Sequence, residues 1–262
     1  MGLVGLPAPV IGKRMRLHRL LLVLLAAVAG AEEASYKLAF EENFDGDKLD
    51  EETWSTNSGK YRDGTYTDKA IGIKDGVMTI TTWTEKGICY TGAINTKIGK
   101  LSVKQGKIEA RLRFTPVPGM KMMFRSNTDY LDRDQPNRVG FNIFEAFSGA
   151  KGGYQVGLGW GDPDDPDEKK GIKQSFPVTA GKFWHTYGLE WDDSGYRFTL
   201  DGKIVLTDKK AMRSITRRGI NLQSDVTSKA EAPRGGYGSK EKSKNVYEVD
   251  WVKAWERVPA AK

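Results

Sequence analysis

The feature that most constrains this chain is an alternation of apolar and polar residues with a period of two, broken by glycine, aspartate and asparagine turns. Ile108, Ala110, Leu112 and Phe114 alternate with Glu109, Arg111 and Arg113, and Tyr196, Phe198 and Leu200 alternate with Arg197 and Thr199. A strand sends successive side chains to opposite faces, so this pattern describes sheets with one face in a core. Asp201-Gly202 leads into Ile204 and Leu206, and Asp75-Gly76 stands between Ile73 and Met78. An Asp-Gly pair accepts the left-handed torsions of a tight hairpin. Tyr247 to Trp255 is again half apolar, and no sustained helical period appears after residue 31. Many short strands joined by turns imply an all-β sandwich or barrel.

The N-terminus reads differently. Lys13, Arg14, Arg16 and Arg19 precede an unbroken apolar run, Leu20 to Ala29, and Ala29-Gly30-Ala31 supplies small residues at a cleavage spacing. Residues 1–31 therefore read as a secretory signal peptide, too short for a comfortable membrane span. The expected product is secreted or periplasmic, with residues 32–262 as its one folded domain and no membrane span after signal removal.

Charge and cysteine content exclude several classes. Of the formal +7, four positive charges and no negative ones lie in positions 1–31, leaving +3 for the rest. Those basic residues are scattered, which argues against a nucleic-acid partner. Cys89 is the only cysteine, so no internal disulfide can form. His185 is the only histidine outside the leader, which removes Cys/His metal sites and leaves no cofactor expected. The acidic stretch Gly161–Gly171 lacks the ligand spacing of a calcium loop and reads as solvated surface, as does the Gly-, Ser- and Lys-rich stretch Ser228–Lys244.

Four segments, in order, resemble glycoside hydrolase family 16. They are Tyr90-Thr91-Gly92-Ala93-Ile94-Asn95-Thr96-Lys97 with Gly106-Lys107-Ile108-Glu109-Ala110-Arg111; Phe183-Trp184-His185-Thr186-Tyr187-Gly188-Leu189-Glu190-Trp191; Asp201-Gly202-Lys203; and Val249-Asp250-Trp251-Val252-Lys253-Ala254-Trp255. The match runs from about Leu38 to Trp255. It implies a jelly-roll β-sandwich of two curved antiparallel sheets with a concave carbohydrate cleft, acting as a monomer on a β-linked polysaccharide.

The family's chemistry lies on one strand, G-E-I-D-I-x-E, whose carboxylates are nucleophile, assistant and acid/base in turn. Here the matching stretch is Val139-Gly140-Phe141-Asn142-Ile143-Phe144-Glu145. Gly140 takes the nucleophile's place and Asn142 the assisting aspartate's, leaving Glu145 and Asn142 as the candidate catalytic pair. A retaining glycosidase needs two carboxyl groups about 5–5.5 Å apart, so this substitution removes the double-displacement machinery. Other family positions have also changed. Lys121 and Arg125 stand where two tryptophans are usual, Gly159 where a cleft histidine is expected, and the upstream sugar-binding asparagine is replaced near Ala70.

Strand parity sets a geometric condition. Gly140 and Asn142 share a face, but Glu145 joins them only if a β-bulge inserts one residue between Asn142 and Glu145. Lys121 and Arg125 are expected to line the cleft while Met122 and Phe124 pack inward. Two cations beside Asn142 suit uronate or sulfate groups better than neutral glucan. Trp160 is the candidate sugar platform, Trp191 reads as core, and His185 as a structural hydrogen-bonding residue at a strand start. Three functions remain open: a hydrolase with a substitute nucleophile, for which Asp129, Asp132 and Asp134 are candidates; a non-catalytic polysaccharide-binding protein; and a lyase on anionic polysaccharide.

Overall fold

The computed structural model describes residues 35–258 apart from positions 116, 133, 136–137, 148–152, 161–169 and 178–182. The expected leader and most of the acidic stretch lie outside the described residues. The end of that stretch is not a loop: Lys170 and Gly171 open the strand Lys170–Pro177 and pair with Trp160 and Gly159.

Two large sheets carry the alternation. The eight-stranded sheet runs Lys203–Asp208, Gly195–Leu200, His185–Asp192, Gly106–Phe114, Val246–Val258, Val77–Thr81 and Ile71–Lys74, with Ser35–Glu42 also paired to the long Val246–Val258 strand. The seven-stranded sheet runs Lys170–Pro177, Gly153–Trp160, Val139–Phe147, Met120–Thr128, Arg218–Val226, Ala93–Thr96 and Trp54–Thr56. All pairs in both are antiparallel. A small four-stranded sheet, Gly59–Tyr61, Gly64–Tyr66, Ile88–Thr91 and Trp83–Glu85, carries Tyr66 toward the polar residues of the seven-stranded sheet. The architecture is the expected all-β jelly-roll sandwich.

The hairpins follow from their turn residues. Lys74 pairs with Val77 and Leu200 with Lys203, leaving two-residue loops whose members all have positive φ: Asp75 at 52° and Gly76 at 73°, Asp201 at 50° and Gly202 at 75°. These torsions match the twist of the strands they join.

The core lies between the two large sheets, and the motif strand contributes its largest side chains. Phe141 meets Trp191 at 5.2 Å and Tyr196 at 5.7 Å, and Phe144 meets Phe114 at 4.9 Å and Tyr187 at 4.5 Å. Fully burying a side chain of this size is worth about 1.5–3 kcal/mol, so these rings pin the strand's register against the opposite sheet. Trp191 is core as expected, its indole N–H donating to the Lys104 carbonyl at 2.8 Å.

One buried cation braces the same strand. Arg218 is fully buried, donates to the carbonyls of Ser126 at 2.5 Å and Val139 at 2.7 Å, and lies 3.7 Å over the Phe141 ring. Burial pulls its guanidinium down to about 9. Arg218 thus ties three neighbouring strands together just before Gly140.

The stretch Ser228–Lys244 is anchored rather than simply solvated. Tyr237 is buried, its N–H donates to the Thr84 hydroxyl at 3.0 Å, and its phenol donates to the Pro118 carbonyl at 3.1 Å. Composition alone does not show this, because one aromatic ring fixes an otherwise polar segment.

Candidate functional site

The motif strand carries the bulge. Against the Gly153–Trp160 strand, Asn142 pairs with Gly157 and Glu145 with Gln155, so three residues on one side span two on the other. The Met120–Thr128 strand shows the same one-residue excess, Phe124 opposite Phe144 and Arg125 opposite Asn142. The extra residue lets Ile143 and Phe144 both enter the core and returns Glu145 to the face of Gly140 and Asn142.

That face is polar and organised in rows, because residues directly opposite on neighbouring strands share a face. One row holds Asn95, Asn221, Arg125, Asn142, Gly157 and Lys173. The next holds Gln223, Met123, Glu145, Gln155 and Ser175. Beyond it Asp225 lies opposite Lys121, which lies opposite Phe147.

Hydrogen bonds knit these rows. Arg125 Nε donates to Asn142 Oδ1 at 2.8 Å, Asn221 Nδ2 to Asn95 Oδ1 at 2.9 Å, and Asn95 Nδ2 to Asn57 Oδ1 at 2.8 Å. Glu145 is buried; its carboxylate is ion-paired with Lys121 Nζ at 3.1 Å and accepts from the Gln155 amide. Asp225 is buried as well, accepting from the Tyr66 phenol and from Gln223 Nε2 at 2.7 Å, with Arg62 Nε 3.7 Å away. Burial raises the Asp225 carboxyl above its usual range, outweighing the hydrogen bonds from Tyr66 and Gln223. Asn221 Oδ1 and Asp225 Oδ2 are buried acceptors with no hydrogen-bond donor among the described residues.

The structure therefore brings Glu145, Asn142, Lys121 and Arg125 together on one face. It does not bring Trp160 there. Trp160 pairs with Val139 and packs against the core, one residue out of phase with Gly159 and Gly140, which face the cleft. The parity of the strand decides this, and a tryptophan beside a loop gives no hint of it.

The substitute nucleophiles are occupied elsewhere. Asp129 is buried and accepts from the backbone of Gly99 at 2.9 Å and Leu131 at 2.8 Å. Asp132 is gripped by the Arg217 guanidinium, 2.6 Å at the shortest, whose hydrogen bonds hold its carboxyl below the usual range. Asp134 is exposed. His185 makes the expected structural bond, Nδ1 to Asp201 Oδ2 at 2.7 Å. No group of three or more His, Cys, Asp or Glu able to hold a metal occurs among the described residues.

Sequence reasoning did not find Asn95, Asn221, Gln223, Asp225, Tyr66, Arg62, Gln155 or Lys173. They come from five strands and one turn that only sheet pairing joins. The available signal was polar residues alternating through Ile220, Leu222 and Ser224 in Arg218–Val226, where Asn221, Gln223 and Asp225 recur with period two.

The bulged central strand and its polar outer face belong to a two-sheet jelly roll. No protein-family model matches the chain, and no curated protein matches it in sequence. Solved structures do match. Porphyranase B from Zobellia galactanivorans superposes with a TM-score of 0.71 at 18% identity, covering 87% of this chain and 95% of that one. The endo-β-1,3-glucanase of Pyrococcus furiosus gives 0.69 at 15% identity, over 87% and 97%. A family 16 glycoside hydrolase endo-glucanase from Bacteroides ovatus gives 0.67 at 21% identity, over 82% and 99%. The chain has the fold of the family 16 glycoside hydrolases.

Proposed function

We propose that this is an exported polysaccharide-binding protein that does not hydrolyse its ligand. The observation that carries the reading is the bulged strand itself. It aligns Gly140, Asn142 and Glu145 as a hydrolase would align its three carboxylates, yet only Glu145 carries a carboxyl, and Lys121 and Gln155 already hold it. Double displacement at a sugar needs a second carboxyl close by. Asp225 is the other carboxylate on this face, but a whole strand separates it from the motif strand, about 10 Å across two strand spacings. It is also buried under Tyr66 and Gln223.

Recognition of a glycan is supported by the face's composition. Asn95, Asn142, Asn221, Gln155 and Gln223 offer paired donors and acceptors at fixed spacing, which suits hydroxyl groups. The relatives that share the fold include a glucanase and a porphyranase. Export rests on the leader-like residues 1–31; among the described residues no helix is long and apolar enough to cross a membrane.

A panel of neutral and acidic polysaccharides tests this, each followed for retention of the protein, new reducing ends and ultraviolet absorbance. The expected result is retention on at least one polymer with neither product signal. Reducing ends would restore the hydrolase, and absorbance from an acidic polymer would make the protein a lyase.

A further inference from the structure

We infer that the polar face carries a receptor for an anionic sugar substituent, a carboxylate or a sulfate ester, built from Arg125, Asn142 and Lys173. This rests on the glycan-binding reading above and names the class of glycan.

The orientation of Asn142 is fixed by chemistry. Arg125 Nε can only donate, so the Asn142 atom 2.8 Å away is its oxygen, and the amide NH2 is turned elsewhere as a donor. The same bond leaves Arg125 with its charge uncompensated, because its partner is a neutral amide. No ion pair to Arg125 or Lys173 occurs among the described residues, whereas Lys121 is paired with Glu145 and Arg62 lies against Asp225. Lys121 and Glu145 cancel, and Arg125 and Lys173 remain as a local excess of positive charge.

Two of these groups, Asn142 and Lys173, line a cavity, and Arg125 adjoins it through its bond to Asn142. Arg125, Asn142, Gly157 and Lys173 form one row across four strands. Gly157 puts no side chain in the middle of that row, because a Cβ there would come within 2.3 Å of the Ile172 carbonyl oxygen. A cavity of about 260 Å³ opens beside it, lined by Asn142, Gln155, Gly171 and Lys173 among others. A water occupies about 30 Å³ of liquid, so this volume admits a charged substituent together with part of its ring. Over three strand spacings, about 14 Å, a guanidinium, an amide NH2 and an ammonium follow one another along the row as donors with no carboxylate among them, a series that suits an oxyanion on an extended glycan. Glu145, the carboxylate nearest in the register, is already held by Lys121 and Gln155.

The experiment compares three oligosaccharides of equal length by calorimetry: a neutral β-glucan, an oligouronate and a sulfated galactan. At low salt at least one anionic ligand should bind about tenfold tighter than the neutral one, a difference of about 1.4 kcal/mol. Raised salt should reduce that preference. Lys173 is exposed, so Lys173→Met should fold as the parent does, checked by thermal unfolding, and should lose most of the preference. Lys173→Arg should keep it, and Arg125→Met/Lys173→Met should abolish it, so that anionic and neutral ligands bind alike. A response to the oligouronate alone identifies a carboxylate, and one to the galactan alone a sulfate. Neutral binding equal to or tighter than both anionic ligands would overturn the inference and leave the glycan-binding reading standing. Binding of none would overturn both.

Discussion

Lys121→Met asks whether Glu145 is a structural ion-pair partner or an acid held in readiness. The Glu145 side chain is 8% exposed and Lys121 27% exposed, with 3.1 Å between their charged atoms. Removing one partner of a buried pair costs about 3–5 kcal/mol when the other charge is stranded. Here the Gln155 amide still donates to Glu145, and the lysine end of the pair is open to water. The expected cost of Lys121→Met is therefore about 2 kcal/mol, below the fully buried range. Glu145→Gln should cost about 1 kcal/mol, because Lys121 can turn to solvent and a neutral amide can still bond Gln155. The double variant should then cost less than the two single changes together, with a coupling energy of about 1–2 kcal/mol. Urea unfolding at neutral pH measures all four proteins, provided the denaturant dependence stays the same across them. Additivity within about 0.5 kcal/mol would refute the reasoning. Glu145 would then be energetically independent of Lys121 and free to act as an acid/base group. A reducing-end assay on Lys121→Met adds a functional check, with no turnover expected.

Two further outcomes follow. Gly140→Glu/Asn142→Asp should fold, because a Cβ at position 140 meets only Asn127 Oδ1 at 3.4 Å and the Gly159 carbonyl at 3.7 Å. It should nonetheless release no reducing ends from β-glucan while Lys121 holds Glu145; hydrolysis by this double variant alone would mean that two substitutions account for the whole loss. Acid sensitivity should depend on Asp192: burial pushes its carboxyl up, but the Ser194 hydroxyl and N–H and the Arg197 guanidinium outweigh it and leave it at about 2. A depressed carboxyl contributes stability above its unfolded value near 3.8 and loses it as pH falls toward 2. Arg197→Met should therefore cost about 1 kcal/mol at neutral pH, after allowing for solvent screening, and less at pH 2, where about half of Asp192 is already protonated in the parent. Urea unfolding at the two pH values would test this, and an equal loss at both would point to packing instead.

The sheet architecture was legible in the residues because it depends on local rules. Parity along Gly106–Phe114 put Ile108, Ala110, Leu112 and Phe114 inside, and the burial alternates through that strand as read. Asp75-Gly76 and Asp201-Gly202 announced their hairpins because left-handed torsions are a property of the two residues themselves. That positions 140 and 142 carry no carboxyl was also plain from Gly140 and Asn142.

What tertiary structure alone decided was facing and partnership. The strand's own sequence left open whether Glu145 turned toward Asn142 or away; the bulge settles it, with Ile143 and Phe144 both buried and Phe144 packed on Phe114 and Tyr187 of the opposite sheet. Trp160 reads as a platform from its neighbourhood and falls on the core side by one residue of register. Asp225 and Tyr66 are 159 positions apart and Lys121 and Glu145 belong to different strands, so their pairing exists only once the sheets assemble. A strand's period is written in its own side chains, whereas the charge that neutralises one of them comes from elsewhere in the chain.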